Sequence, residues 1–177
     1  MVRVFFSYSH KDEPLRDLLD THLSLLKNQG VIQVWHDRRI GVGHEIDSSI
    51  DSNLNDAEII LLLISPDFLA SSYCWGVEVK RAMERHEARA ARVIPVILRA
   101  CDWHTAPFGK LKAAPKDGKP VRLWADVDEA FLDIAKEIRA VAEAITGKPT
   151  NIDSSRPPSP APTFNTQRST TRRRGQI

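Results

Sequence analysis

The sequence has 177 residues, of which 42% are hydrophobic and 27% charged, and this balance indicates one soluble globular domain with a core of its own. No apolar run approaches 20 residues and the opening segment turns polar by Ser7, so we expect no membrane span, no secretion leader and a cytoplasmic location. Residues 146–177 hold six Lys or Arg and one Asp, a charge of +5, which leaves −3 of the total +2 for residues 1–145. We therefore expect no nucleic-acid binding by the folded part, since that requires clustered cations.

The first half of the chain alternates apolar runs with polar segments. Residues 2–6 are apolar and precede the segment SYSHKDE, which predicts a buried strand followed by a loop. Leucines at helical spacing from Leu15 to Leu26 predict a helix that Gly30 ends. Residues 31–35 predict a second strand, and after the loop HDRRIGVGHE a weaker helix carries Ile46, Ile50 and Leu54.

The middle of the chain contains the strongest strand signal. Residues 59–65, IILLLIS, are apolar on both faces, which predicts a central strand. Pro66 ends it, and residues 71–87 predict a helix on which Trp75, Val79, Met83 and His86 share a stripe. Residues 92–98 predict a fourth strand, in which Pro95 removes one hydrogen-bond donor.

The last third begins with a long irregular segment and then returns to regular structure. Residues 120–124 predict a brief fifth strand, and residues 128–145 predict a final helix. The buried stripe of this helix is predicted to comprise Phe131, Ile134, Ile138, Val141 and Ile145. Residues 146–177 hold five of the eleven prolines and one aromatic residue, so we expect a disordered tail or linker.

Strands that alternate with helices predict an α/β fold: a doubly wound parallel sheet with helices on both faces. If the strand order is 2-1-3-4-5, the ligand crevice lies between strands 1 and 3, where the order reverses. This topology brings Ser7, Tyr8 and Ser9 toward Glu78, with the loop at residues 36–45 beside them. Glu78 has a plainer interpretation, as a surface residue paired with Arg81 three positions later.

Several other kinds of site find little support. A phosphoacceptor receiver needs an Asp after strand 3 and a Lys after strand 5, and neither is present. The sequence lacks GxGxxG after a strand and lacks GxxxxGK[ST]. His36, Asp37, His44 and Glu45 lack metal-ligand spacing, so we expect no metal site. Cys74 and Cys101 form no disulfide or zinc pattern, and Cys74 has no evident base to activate it.

Four separated segments together resemble a bacterial Toll/interleukin-1 receptor (TIR) domain of the NAD-cleaving type. They are VFFSYSHKD, WHDRRIGVG, LLLISPDFLASSYCWGVEV and RVIPVILRACDW, and the resemblance covers residues 1–145. It implies a flavodoxin-like sheet of five parallel strands. One departure is the spacing of the aromatic residue: the family often has Trp four residues before its glutamate, where this chain has Cys74, with Trp75 three before.

The resemblance also implies an activity and site residues. Many bacterial members cleave NAD+ between nicotinamide and ribose, with NAD+ as substrate and no cofactor. By position, Glu78 matches the catalytic glutamate. The residues that match substrate-binding positions are Phe6, Ser7, Tyr8, Ser9, His10, Asp37, Arg38, Gly43, Trp75 and Trp103.

We therefore expect an NAD+ glycohydrolase that yields nicotinamide and ADP-ribose or a cyclic variant, in bacterial defence or signalling. The resemblance implies activation by self-association through residues 36–45. One alternative is a non-catalytic scaffold that recruits other TIR domains. Another is an effector that imitates the TIR domains of a host.

Overall fold

The structure, a computed structural model, describes residues 1–36 and 52–147, and within them a four-stranded parallel sheet forms the centre. Its strands are β1 (Val2–Ser7), β2 (Ile32–His36), β3 (Ile59–Ile64) and β4 (Arg92–Ile97), in the order β2-β1-β3-β4. All six residues of β3 are buried, as their continuous apolar sequence predicts. The order agrees with the first four positions of the predicted sheet and makes β1 and β3 neighbours.

Helices cover both faces of this sheet. They are α1 (Glu13–His22), α2 (Ser24–Asn28), α3 (Ser52–Asp56), α4 (Pro66–Ala70), α5 (Lys80–Glu87) and α6 (Val127–Thr146). A π-helical turn, Cys74–Val79, leads directly into α5, and short 3-10 helices span His10–Asp12, Lys116–Gly118 and Val121–Leu123.

Two apolar layers hold the sheet between its helices. One layer joins β1 residues such as Val4 and Phe6 to side chains of α1 and α6. The other joins Phe5 and Ile60 to side chains of α4, the π-helical turn and α5. Because side chains alternate along a strand, neighbouring residues of β1 enter different layers. Ser7 therefore faces the same layer as Phe5.

The prediction of a fifth strand at residues 120–124 is wrong. Val121–Leu123 form a 3-10 helix, and the outer edge of β4 is bonded to other groups. The Val93 N–H donates to His86 Nδ1 at 3.2 Å, and Pro95 has no N–H. Ala114 completes this edge, donating its N–H to the Pro95 carbonyl and accepting from Ile97 N–H, both at 2.8 Å. Much of the β4 edge that a fifth strand would pair with is therefore already hydrogen-bonded.

Two predicted helices differ in detail. The helix expected across Leu15–Leu26 is divided at Leu23, between α1 and α2, and Gly30 follows α2 at φ +67. The helix expected over residues 71–87 begins as a π-helical turn. Helix α6 spans the predicted range, but the side chain of Ile145 is exposed at its end.

Several predictions lie outside the described residues. These are the substrate-binding roles of Asp37, Arg38 and Gly43, the self-association loop at residues 36–45 after its first residue, most of the weak second helix, and the tail beyond residue 147. Among the helices of the described residues, none is long and apolar enough to cross a membrane.

Candidate functional site

Glu78 lies in the π-helical turn and points toward the end of β1. It is only 5% exposed, and its Oε2 accepts a 2.6 Å hydrogen bond from the Ser7 hydroxyl. Ser7 is the last residue of β1 and is fully buried. The crevice that strand order predicts thus brings together the carboxylate and the first-strand segment, two regions 71 residues apart in sequence. Glu78 is not a solvated surface residue, and Arg81 instead bonds Asn55 and Glu84.

The π-helical geometry itself bears on the site. Hydrogen bonding from i to i+5 widens a turn, and such turns occur frequently at functional sites. Here the turn buries Cys74, Glu78 and Val79 while Trp75 and Gly76 stay exposed. The wide turn therefore directs the carboxylate inward from the surface of the helix layer.

The thiol of Cys74 adjoins this carboxylate. Its Sγ donates to the Tyr8 carbonyl at 3.6 Å. Burial first, and then the nearby negative charge of Glu78, raise the pKa of Cys74 to about 12. A thiol with this pKa stays protonated at neutral pH, so Cys74 is not a nucleophile there. It joins the π-helical turn to the first-strand loop as a neutral group.

The first-strand predictions occupy distinct positions. Phe6 is a buried core residue, Tyr8 and Ser9 are partly buried, and His10 is exposed. The Tyr8 ring lies 4.8 Å from the guanidinium carbon of Arg16, and its edge meets His10 at 6.2 Å. Tyr8, Ser9 and His10 thus form the accessible rim of the crevice.

The two predicted tryptophans differ in exposure. Trp75 is 41% exposed and meets the buried ring of Phe108 edge to face, with centroids 6.2 Å apart. Trp103 is 7% exposed and belongs to the apolar layer that also contains Cys74 and Phe108. An open face for stacking is therefore available at Trp75, whereas Trp103 packs in the core.

A charged network that sequence reasoning missed borders the same crevice. The Asp12 carboxylate accepts from Ser65 Oγ and, at 2.9 Å, from Arg99 Nε. Arg99 also donates to Asp67, which forms a 2.9 Å ion pair with Lys11. Hydrogen bonding from Lys11 and then Arg99 lowers the pKa of Asp67. Polar residues in the segments that follow β1, β3 and β4 were the available signal, because the carboxyl ends of parallel strands meet at one edge.

Two cavities in the described residues lie away from Glu78. The larger, about 670 Å³, is lined by residues that include Glu58, Arg92 and Ile145, and the smaller, about 280 Å³, runs beside β4. Glu58 immediately precedes β3 and Arg92 begins β4, whereas Ser7 ends β1. The larger cavity is therefore at the opposite end of the parallel sheet from Ser7. The described residues contain no group of three or more His, Cys, Asp or Glu placed to hold a metal ion.

Comparisons with known proteins agree with the fold and extend the assignment. A solved structure, the TIR domains of the activated Roq1 resistosome directly recognizing the pathogen effector XopQ, is similar with a TM-score of 0.54. It is 16% identical and covers 78% of this chain and 99% of that one, a likeness of fold.

A relative among curated proteins is much closer in sequence. It is the uncharacterized protein y4lF of Sinorhizobium fredii (strain NBRC 101917 / NGR234), 61% identical over 146 residues. The match covers 82% of this chain but 45% of that protein, so the chain spans less than half the length of this relative. A family model described as the TIR domain matches residues 4–137, which is most of the chain. The chain belongs to the TIR domain family.

Proposed function

We propose that this TIR domain is an NAD+ glycohydrolase that releases nicotinamide and leaves ADP-ribose or a cyclic variant, in bacterial defence or signalling. The observation that carries the proposal is the buried carboxylate of Glu78, which Ser7 holds at the crevice between β1 and β3. The accessible rim of Tyr8, Ser9 and His10 and the open face of Trp75 provide surfaces for the rest of the dinucleotide.

One carboxylate is chemically sufficient for this reaction. Most glycosidases need two, because the departing oxygen must be protonated. Nicotinamide leaves as a neutral molecule from a cationic pyridinium, so its departure requires no general acid. What remains is the stabilisation of a ribosyl cation in the transition state, and an ionised Glu78 supplies the opposite charge.

The size of this effect supports a catalytic role. A unit charge about 4 Å away interacts with about 4 kcal/mol at an effective dielectric constant of about 20. That energy corresponds to a rate factor of about a thousand. Position and orientation of the substrate supply further acceleration.

The burial of Glu78 also supports regulated access. At 5% exposure the carboxylate meets a ribose only after a neighbouring wall of the crevice has moved. The family resemblance implies self-association through residues 36–45, and we infer that this contact between subunits provides the access to Glu78. Activity then depends on self-association.

The test is nicotinamide release from NAD+ by purified protein at high concentration, alongside Glu78→Ala. A matched control is Glu84→Ala, which removes a glutamate of the following helix whose side chain is 49% exposed and pairs with Arg81. We expect loss of release in Glu78→Ala and normal release in Glu84→Ala. Equal release by the wild type and Glu78→Ala would exclude the proposed role.

A non-catalytic scaffold is the second candidate, and the same burial of Glu78 favours it. A buried, hydrogen-bonded carboxylate also serves to fix a loop against a helix. Assembled wild-type protein that releases no nicotinamide would identify this second function. Demonstrated assembly, by light scattering in the same solution, is therefore part of the assay.

A further inference from the structure

Asp12 is a buried anion for which the proposed reaction has no direct use. Its side chain is 1% exposed, and it ends the short 3-10 helix that closes the first-strand loop. The Asp12 N–H donates to the Ser9 carbonyl at 2.8 Å, so its backbone also closes that turn. Removing a carboxylate from water is unfavourable, and hydrogen-bonding partners must compensate for it.

The partners of Asp12 come from two other strand ends. Ser65 directly follows β3, and its hydroxyl donates to Asp12 while accepting from the Phe68 N–H at the start of α4. Arg99 follows β4, and its Nε donates to the second oxygen of Asp12 at 2.9 Å. One carboxylate thus joins the loop after β1 to the segments that follow β3 and β4.

The loop that Asp12 holds is the accessible rim of the crevice. Tyr8, Ser9 and His10 precede it within four residues, and the Tyr8 carbonyl accepts from Cys74 beside Glu78. Such an ion pair is weak evidence for stability, and in some proteins a buried ionic group instead selects one geometry. The arrangement suits a group that holds a binding loop in a single position.

We propose that Asp12 is a positioning residue for the substrate-binding rim formed by Tyr8, Ser9 and His10. This inference rests on the proposed function, because it assigns to that rim the contacts with the dinucleotide. Asp12 touches no substrate. Its loss disturbs binding of NAD+ while Glu78 and Ser7 keep their hydrogen bond.

The test compares Asp12→Ala and the conservative Asp12→Asn with the wild type in the full chain. Nicotinamide release gives KM and kcat, and a circular dichroism melt confirms that each variant is folded. We expect Asp12→Ala to raise KM about tenfold and to change kcat less than about threefold. Asp12→Asn keeps one acceptor for Arg99, and we expect a smaller rise in KM.

Lys11→Ala is the matched control. Lys11 lies in the same loop, its side chain is 76% exposed, and it reaches Asp67 without contacting Asp12 in the network. We expect an unchanged KM in this variant. A folded Asp12→Ala with wild-type KM, or with a reduced kcat at constant KM, would overturn the proposal.

Amide hydrogen exchange separates this proposal from the proposed function. We expect exchange at residues 8–12 to increase about tenfold or more in Asp12→Ala, with β3 amides unchanged. Increased exchange at these residues would support the positioning role even if the wild type releases no nicotinamide. Absence of nicotinamide release would count only against the proposed enzymatic function. Unchanged exchange at residues 8–12 would overturn the positioning role in either case.

Discussion

Ser7 donates a hydrogen bond to the carboxylate that the proposed chemistry requires. A hydrogen bond to a charged group contributes roughly 1.5–3 kcal/mol, more than a bond between neutral groups. The 2.6 Å bond from Ser7 to Glu78 also fixes which way the carboxylate faces. The alternation of side chains along β1 is what places Ser7 on this side of the sheet.

Replacing Ser7 by alanine tests this orientation. We expect Ser7→Ala to release nicotinamide roughly 10- to 100-fold more slowly, because Glu78 loses the Ser7 hydroxyl that donates to it and helps to direct it. A nicotinamide assay with a thermal melt as control measures this effect. Unchanged turnover in folded Ser7→Ala would show that Glu78 acts without this bond.

Cys74 gives a prediction about stability at alkaline pH. Its pKa of about 12 in the folded chain lies above the ordinary value of 9.0, so the unfolded thiol ionises first as pH rises. The unfolded state then binds fewer protons, and stability falls from about pH 9 upward. We expect the wild type to lose about 2 kcal/mol more than Cys74→Ala between pH 8 and 10.5.

Urea unfolding of both chains at the two pH values measures this difference. Lysines, tyrosines and Cys101 titrate in both proteins, so the comparison isolates Cys74. Equal losses in the two chains would mean that Cys74 is not shielded as the structure describes.

At the scale of elements, the π-helical turn is the feature that positions Glu78. Gly76 lies in this turn, and an added methyl group there meets no atom within 4 Å. We expect Gly76→Ala to stabilise the protein by about 0.5–1 kcal/mol, because alanine loses less entropy in a helix. Thermal or urea unfolding measures the change.

Gly30→Ala is the control for this prediction. Gly30 also has open space around it but adopts φ +67, in the left-handed region. We expect alanine there to destabilise the protein by about 1 kcal/mol, since an L side chain is strained at this φ. A loss of stability in both variants would contradict the assignment of Gly76 to a helical conformation without strain.

Sequence reasoning was most successful where periodicity and topology agree. The continuous apolar run of residues 59–65 predicted the buried β3, and the strand order assumed for a doubly wound sheet made β1 its neighbour and brought Ser7 near Glu78. It failed at residues 120–124, because the hydrogen-bonding edge of β4 is occupied by His86 and Ala114, which lie elsewhere in the sequence. The π-helical turn was missed for a different reason: a regular helical period assumes i to i+4 bonding.

The buried charge network escaped sequence reasoning because its bonds are all long-range. Asp12 and Arg99 are 87 residues apart, and the pattern around each is that of an ordinary polar loop. A candidate carboxylate can be found from topology, whereas the group that holds the neighbouring loop in place requires coordinates.

At the scale of the whole molecule, the proposed function links activity to assembly. Because the carboxylate is almost fully buried in one chain, we expect specific activity, the rate per chain, to increase with protein concentration. Replacing Gly43 by valine should reduce oligomer size and specific activity together, since a β-branched residue restricts the loop. Light scattering and nicotinamide release over a concentration series measure both quantities. Specific activity that does not vary with concentration would contradict activation by self-association.

The most direct measurement compares nicotinamide release by assembled wild type and Glu78→Gln, a substitution that keeps the size of the side chain and removes its charge. The account predicts a fall of about a thousandfold in Glu78→Gln, the value of one charge near the ribosyl cation. Equal rates in the two proteins would contradict it.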